Sequence, residues 1–202
     1  MDIREMAALE TPEQATRLIS HVRDACAAIR DLPVITIASI QGPVFGAGLE
    51  IAASCDFRCA TPDSTFAMPE VKLGIPSVVQ ARLLANIIGW QRTKRLVYLA
   101  ETVDAATAEQ WGLVDFLAHS TEHDAAMEAF IASTVAANGP EAMKAQKRLV
   151  RLWEETDLVT GVDAGVESFA SMFEIGAREP NEYMGQFLRR RKESKDQKGG
   201  GT

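Results

Sequence analysis

The spacing of apolar residues changes along this chain, and the changes mark out its parts. Ala15, Leu18, Ile19, Val22, Cys26 and Ile29 recur at helical intervals, so one face of a helix is buried. Thr11-Pro12-Glu13-Gln14 starts that helix, with Thr as cap, Pro at the first position and Gln in the capping-box place. Met1 to Leu9, ahead of it, is a short mixed segment, and His21 beside the apolar face reads as structural or exposed. Val34 to Ile40 is instead a run rich in β-branched residues between Pro33 and Gly42-Pro43, which predicts a buried strand and a turn. A loop with glycines at 46 and 48 then enters a helical stretch, Leu49 to Cys55. Strand-like runs follow at Asp56 to Ala60 and around Phe66 to Met68. Val78 to Ile88 and Trp90 to Ala100 read as two helices parted by Gly89. Asp104 caps a short helix over Ala105 to Trp111, Gly112 closes it, and Leu113 to Leu117 predicts a strand.

From Glu122 onward the pattern is purely helical. Helices are expected over Asp124 to Ala137, from Pro140 past Trp153, over Leu158 to Ala177, and over Asn181 to Arg191. They carry more apolar surface than a lone bundle buries, which predicts an oligomer interface. The chain therefore divides into an α/β core over 1–120, a helical oligomerisation region over 121–192 and a polar, Gly-rich tail over 193–202 that is expected to be disordered.

Bulk composition narrows the function classes. The 202 residues suffice for one domain with a real core, and a net charge of −7 argues against a nucleic-acid partner or a membrane surface. No run approaches the roughly 18 apolar residues of a membrane span, and the acid-containing start MDIREMAALE has no signal-peptide core. Cys26, Cys55 and Cys59 suit a reducing, cytoplasmic setting. Cys55 and Cys59 have no second pair and no neighbouring His in sequence, so they read as buried thiols and no metal is expected.

The candidate chemistry lies between Pro33 and Ser77. A glycine-flanked turn into a helix leaves backbone N–H groups unpaired, a nest suited to an oxygen that becomes anionic during a reaction. Glu50 falls in the first helical turn and Glu70 follows a strand end, twenty positions on. Together they are candidates to take and give a proton on either side of a substrate held by the nest. The same glycines also fit a plain tight turn, Glu50 fits an ordinary first-turn residue favoured by the helix dipole, and Glu70 fits a solvated strand-end charge. Asp56 reads as an anchor for a turn or strand start. Phe45, Phe66 and Met68 suit either an acyl pocket or the core. Arg92, Lys94 and Arg95 suit either phosphates or a solvated helix face.

Gly46-Ala47-Gly48-Leu49-Glu50-Ile51-Ala52, Cys55-Asp56, Phe66-Ala67-Met68-Pro69-Glu70 and Leu73-Gly74-Ile75-Pro76 resemble the signature of the enoyl-CoA hydratase/isomerase (crotonase) superfamily. The resemblance continues through Gly112-Leu113-Val114 to Phe187-Leu188-Arg189-Arg190-Arg191. It implies an α/β fold, a superhelix of repeated ββα turns with its N-terminal part missing, followed by a C-terminal α-helical region that builds homotrimers or dimers of trimers. It implies an acyl-CoA thioester substrate, with coenzyme A as part of that substrate and no separate cofactor. Glu50, Glu70 and the backbone N–H of Ala47 are the implied catalytic groups. Met1, Gly46, Gly48, Phe45, Met68 and Pro69 are the implied substrate-binding positions.

Three departures accompany the resemblance. Asp2-Ile3 matches the end of an Ala-Gly-Ala-Asp-Ile/Leu motif, so Met1 falls where the family places its second oxyanion donor. Loss of one such donor typically costs about 100- to 1000-fold in turnover. Ala47 and Val78-Val79-Gln80-Ala81 stand where relatives usually have glycine-rich sequence. The expected reaction is addition of water across the 2,3 double bond of an enoyl-CoA. The alternatives are double-bond isomerisation, other CoA-thioester chemistry, or acyl-CoA binding without turnover. A dinucleotide fold is excluded because Ile51 occupies the third fingerprint glycine, and no Gly-x-Ser-x-Gly elbow supports a serine hydrolase.

Overall fold

The structure is a computed structural model that describes residues 2–119, 122–174 and 176–199. It divides into two compact units, Met1–Ala136 and Ala137–Thr202. In chain order the first unit contains α1 (Ile3–Ala7), α2 (Pro12–Asp31), β1 (Ile37–Ile40), β2 (Pro43–Phe45), α3 (Ala47–Ser54), β3 (Phe57–Ala60) and β4 (Thr65–Ala67). A 3-10 turn over Glu70–Leu73 leads to α4 (Ala81–Leu99), β5 (Thr102–Asp104), α5 (Ala105–Trp111), β6 (Phe116–Leu117) and α6 (His123–Phe130).

Successive ββα turns stack their strands in two small sheets. One has the order β1-β3-β6 and is parallel, with Ile37 opposite Phe57 and Cys59 opposite Phe116. The other has the order β2-β4-β5, with β2 parallel and β5 antiparallel to β4. Leu49, Phe66, Met68, Leu84, Leu96 and Leu113, all wholly inaccessible, lie in the core between the sheets and helices. Each fully buried aliphatic or aromatic side chain contributes about 1.5–3 kcal/mol.

Local chemistry explains most element ends. Thr11 and Gln14 form the expected capping box at α2. Asp104 caps α5 by accepting the Thr107 N–H, and Gly112 closes that helix in the left-handed conformation. The Leu113 and Val114 N–H groups both turn back to the Ala108 carbonyl, at 2.8 and 3.2 Å. That closure removes both residues from the strand expected over Leu113 to Leu117, leaving only Phe116–Leu117. The strand expected from Val34 begins at Ile37, where pairing with β3 starts. Gly89 breaks α4, at φ 76° and ψ 158°, as the two-helix reading requires. The first half starts at Ala81, three residues later than expected, because Val79 takes a left-handed φ of 50°. Phe130 of α6 packs against Phe57 and Phe116, with ring centroids 5.3 and 5.0 Å away.

The second unit holds α7 (Pro140–Glu155), α8 (Leu158–Ser171) and α9 (Arg178–Gly199). The Glu179 carboxylate caps α7 by accepting the N–H groups of Glu141 and Ala142, at 3.0 and 2.8 Å. Trp153 donates its ring N–H to the Gly161 carbonyl at 2.9 Å, joining α7 to α8. Leu158, Val159, Val162, Val166 and Phe169 of α8 are exposed. The α9 backbone runs to Gly199, past the Arg191 end expected from sequence and into the stretch expected to be disordered; residues 200–202 lie outside the described residues.

Candidate active site

The site begins at Gly46, between β2 and α3. Gly46 holds φ 54° and ψ −124°, a conformation that side chains rarely adopt. Its N–H donates to the Ala67 carbonyl at 3.0 Å, tying the turn to β4. Its own carbonyl accepts from the N–H groups of Leu49 and Glu50, at 2.8 and 3.0 Å. A helix start exposes four N–H groups; here two are satisfied, leaving those of half-buried Ala47 and exposed Gly48. Among the described residues neither has a hydrogen-bond partner. The methyl group of Ala47 leaves its N–H in place.

Glu50 is only 3% exposed. Burial pushes its carboxyl up to about 7; the Ala81 N–H, donating to Oε1 at 3.1 Å, opposes that rise, and the charge of Glu70 adds to it. The same N–H lies 3.0 Å from the Val78 carbonyl, so Glu50 shares in capping the start of α4. An ionised carboxylate here loses hydration without gaining a cation, which is why the proton is retained to near neutrality.

Glu70 is half-buried and follows Pro69 into the 3-10 turn that Gly74 closes with φ 76°. Its Oε2 accepts the Ser77 hydroxyl at 2.8 Å. Its Oε1 lies against Gly46, where a Cβ would stand 2.5 Å from it. The backbone angles of Gly46 call for glycine, and a Cβ there would also displace the Glu70 carboxylate. The structure gathers Gly46, Ala47, Gly48, Glu50 and Glu70 at one turn.

Met68 and Phe66 are inaccessible core residues, Phe45 on β2 is 45% exposed, and Pro69 is half-buried beside Glu70. Met1 lies outside the described residues; Asp2 caps α1 and pairs with Arg4 at 3.0 Å. Arg95 pairs with Glu101 at 2.6 Å and Arg92 donates to the Trp111 carbonyl, so both are engaged within the fold. Asp56 anchors the start of β3, accepting from the Thr36 N–H and hydroxyl at 2.7 and 2.8 Å.

Three features escape sequence reading. Ser77 meets Glu70 across a turn that reads only as a helix entry. Arg58, 5% exposed, donates to the carbonyls of Leu113 and Cys55 at 2.6 and 2.9 Å and pairs with Asp115 at 3.4 Å. His123, 1% exposed, meets Ser39 at 2.9 Å and the Cys59 sulfur at 3.7 Å, so a histidine does approach one of the paired cysteines. Burial pushes the Cys59 thiol up to about 11, so it stays protonated. Among the described residues no group of three or more His, Cys, Asp or Glu is placed to hold a metal ion, and no helix is long and apolar enough to cross a membrane.

The enoyl-CoA hydratase/isomerase family model matches residues 1–198. The chain belongs to that family. It is 32% identical over 192 residues to the enoyl-CoA isomerase/hydratase fer4 of Mycosarcoma maydis, covering 94% of this chain and 67% of that one. It is 34% identical over 165 residues to a mouse (Mus musculus) mitochondrial methylglutaconyl-CoA hydratase, covering 80% of this chain and 52% of the relative. The chain thus spans between about half and two-thirds of the length of these curated relatives. Its fold superposes on the crystal structure of an enoyl-CoA hydratase from Mycobacterium smegmatis with a TM-score of 0.84 at 27% identity, over 94% of this chain and 72% of that one.

Proposed function

We propose that this chain is an enoyl-CoA hydratase, adding water across the 2,3 double bond of an enoyl-CoA thioester. The observation that carries this reading is the placement of Glu50 and Glu70 at the turn where the Ala47 N–H is unpartnered. The thioester carbonyl would accept that N–H, which stabilises the enolate-like charge that develops on its oxygen. By the family resemblance a second donor comes from the position of Met1. Glu50 takes a proton from the water that attacks Cβ, and Glu70 delivers one to Cα. One proton enters the pair and one leaves, so the two carboxyls exchange protonation states and solvent resets them. A base with a pKa near 7 suits this task, because it is ionised enough at neutral pH and still basic.

Isomerisation is the second reading, because the relative from Mycosarcoma maydis is described as both isomerase and hydratase. It would use the same turn with Glu70 alone. The exposed apolar residues of α8 support a homotrimer or a dimer of trimers, and three free thiols suit a reducing, cytoplasmic setting. Incubation with a short trans-2-enoyl-CoA followed by mass spectrometry decides between the reactions. A hydratase yields a product heavier by one water. A product of unchanged mass with a shifted double bond contradicts hydration.

A further inference from the structure

We infer that Ser77 is a positioning residue for Glu70, selecting which carboxylate oxygen serves the substrate; this rests on the reading of the Gly46–Ala47 turn as the site. Ser77 is half-buried and donates its hydroxyl to Oε2 of Glu70 at 2.8 Å. The opposite oxygen, Oε1, is the one directed at Gly46, close enough that a Cβ there would displace it. A carboxylate held at one oxygen by a hydroxyl, with the other beside Gly46, has less freedom to rotate. Its working oxygen is thereby aimed at the position beside the Ala47 N–H, where Cα of a bound thioester would lie. Pre-set geometry of this kind lowers the reorganisation needed in the transition state.

The backbone around Ser77 supports this role. Ser77 and Ala81 bracket a tight segment in which Val79 holds φ 50°, an outlier for a β-branched residue. Strain of this kind persists where surrounding contacts fix it, and it clusters at functional sites. Here the two ends of the strained segment address the two carboxylates, with the Ser77 hydroxyl on Glu70 and the Ala81 N–H on Glu50. The segment is a two-point holder for the acid–base pair. Its outer side lines a groove of about 360 Å³ with Val71, Trp90 and Val97, where Arg82 donates to Asn86 and the Thr93 hydroxyl to the Gly89 carbonyl.

The test compares Ser77→Ala and Ser77→Thr with the unsubstituted chain. The first readout is the ¹³C carboxylate resonance of Glu70 in the free protein, assigned with Glu70→Gln. It moves in Ser77→Ala and returns in Ser77→Thr. The second is Cα hydrogen–deuterium exchange of a saturated acyl-CoA, which needs Glu70 but no water addition. Exchange slows about 10- to 100-fold in Ser77→Ala, the worth of one hydrogen bond to a charged group, with acyl-CoA affinity within twofold, and Ser77→Thr restores most of it. An unmoved resonance in Ser77→Ala overturns the inference, as does unchanged exchange. Failure of the unsubstituted chain to hydrate an enoyl-CoA counts against hydration alone, because neither readout depends on it.

Discussion

Glu50→Gln should stabilise this protein at alkaline pH while removing the proposed hydration activity. Glu50 is 3% exposed, and its carboxyl is raised from an ordinary 4.5 to about 7, chiefly by burial. Between those values the folded chain binds a proton that the unfolded chain releases. Stability therefore falls as pH rises from about 4.5 to about 7 and is level above. At about 1.4 kcal/mol per pH unit, the interval is worth about 3 kcal/mol. Glutamine keeps an oxygen to accept the Ala81 N–H and carries no charge to bury. The substitution should be near neutral at pH 5 and worth about 3 kcal/mol in its favour at pH 8.5. Urea unfolding of both chains at matched protein concentration, at pH 5 and at pH 8.5, measures the difference. Equal differences at the two pH values, or a weaker variant at pH 8.5, would refute the claim that the site holds a destabilising carboxylate.

Other consequences follow from the same contacts. Hydration should rise about tenfold per pH unit as pH approaches about 7 from below, since Glu50 must be ionised to act as base; a kcat/KM profile reads this. Gly46→Ala places a methyl group against Glu70 in a left-handed turn, and should lower kcat at least about 100-fold and cost about 1–3 kcal/mol in a urea titration. Arg58→Ala strands the carbonyls of Leu113 and Cys55 and the Asp115 carboxylate, and should cost about 3–5 kcal/mol in the same assay. Phe169→Asp, on the exposed apolar face of α8, should lower the sedimentation-derived mass towards that of one chain.

What the sequence discloses follows the range of the interactions involved. The capping box at Thr11 and Gln14 and the cap at Asp104 were legible because each cap and its partner lie within one helical turn. Gly46, Glu50 and Glu70 were legible as a signature, although spacing alone says nothing of convergence. Strands β2 and β5 were not foreseen. Each has three residues, and their pairing with β4 is decided by tertiary contact rather than by alternation. The late start of α4 goes with the left-handed φ of Val79, and the Ala81 N–H there meets Glu50, thirty-one residues upstream. Ser77 follows Pro76 and reads as a turn residue; only the fold shows its hydroxyl on Glu70. His123 lies sixty-four residues beyond Cys59, and no local pattern announces their contact.

The central claim is that Glu50 and Glu70 work as a pair at the Ala47 N–H. Steady-state hydration of a short trans-2-enoyl-CoA by the unsubstituted chain, Glu50→Gln and Glu70→Gln tests it most directly, with binding of a saturated acyl-CoA as the control. The account predicts a loss of kcat of at least about 100-fold in each variant, with acyl-CoA binding kept. Full turnover in either variant would contradict it.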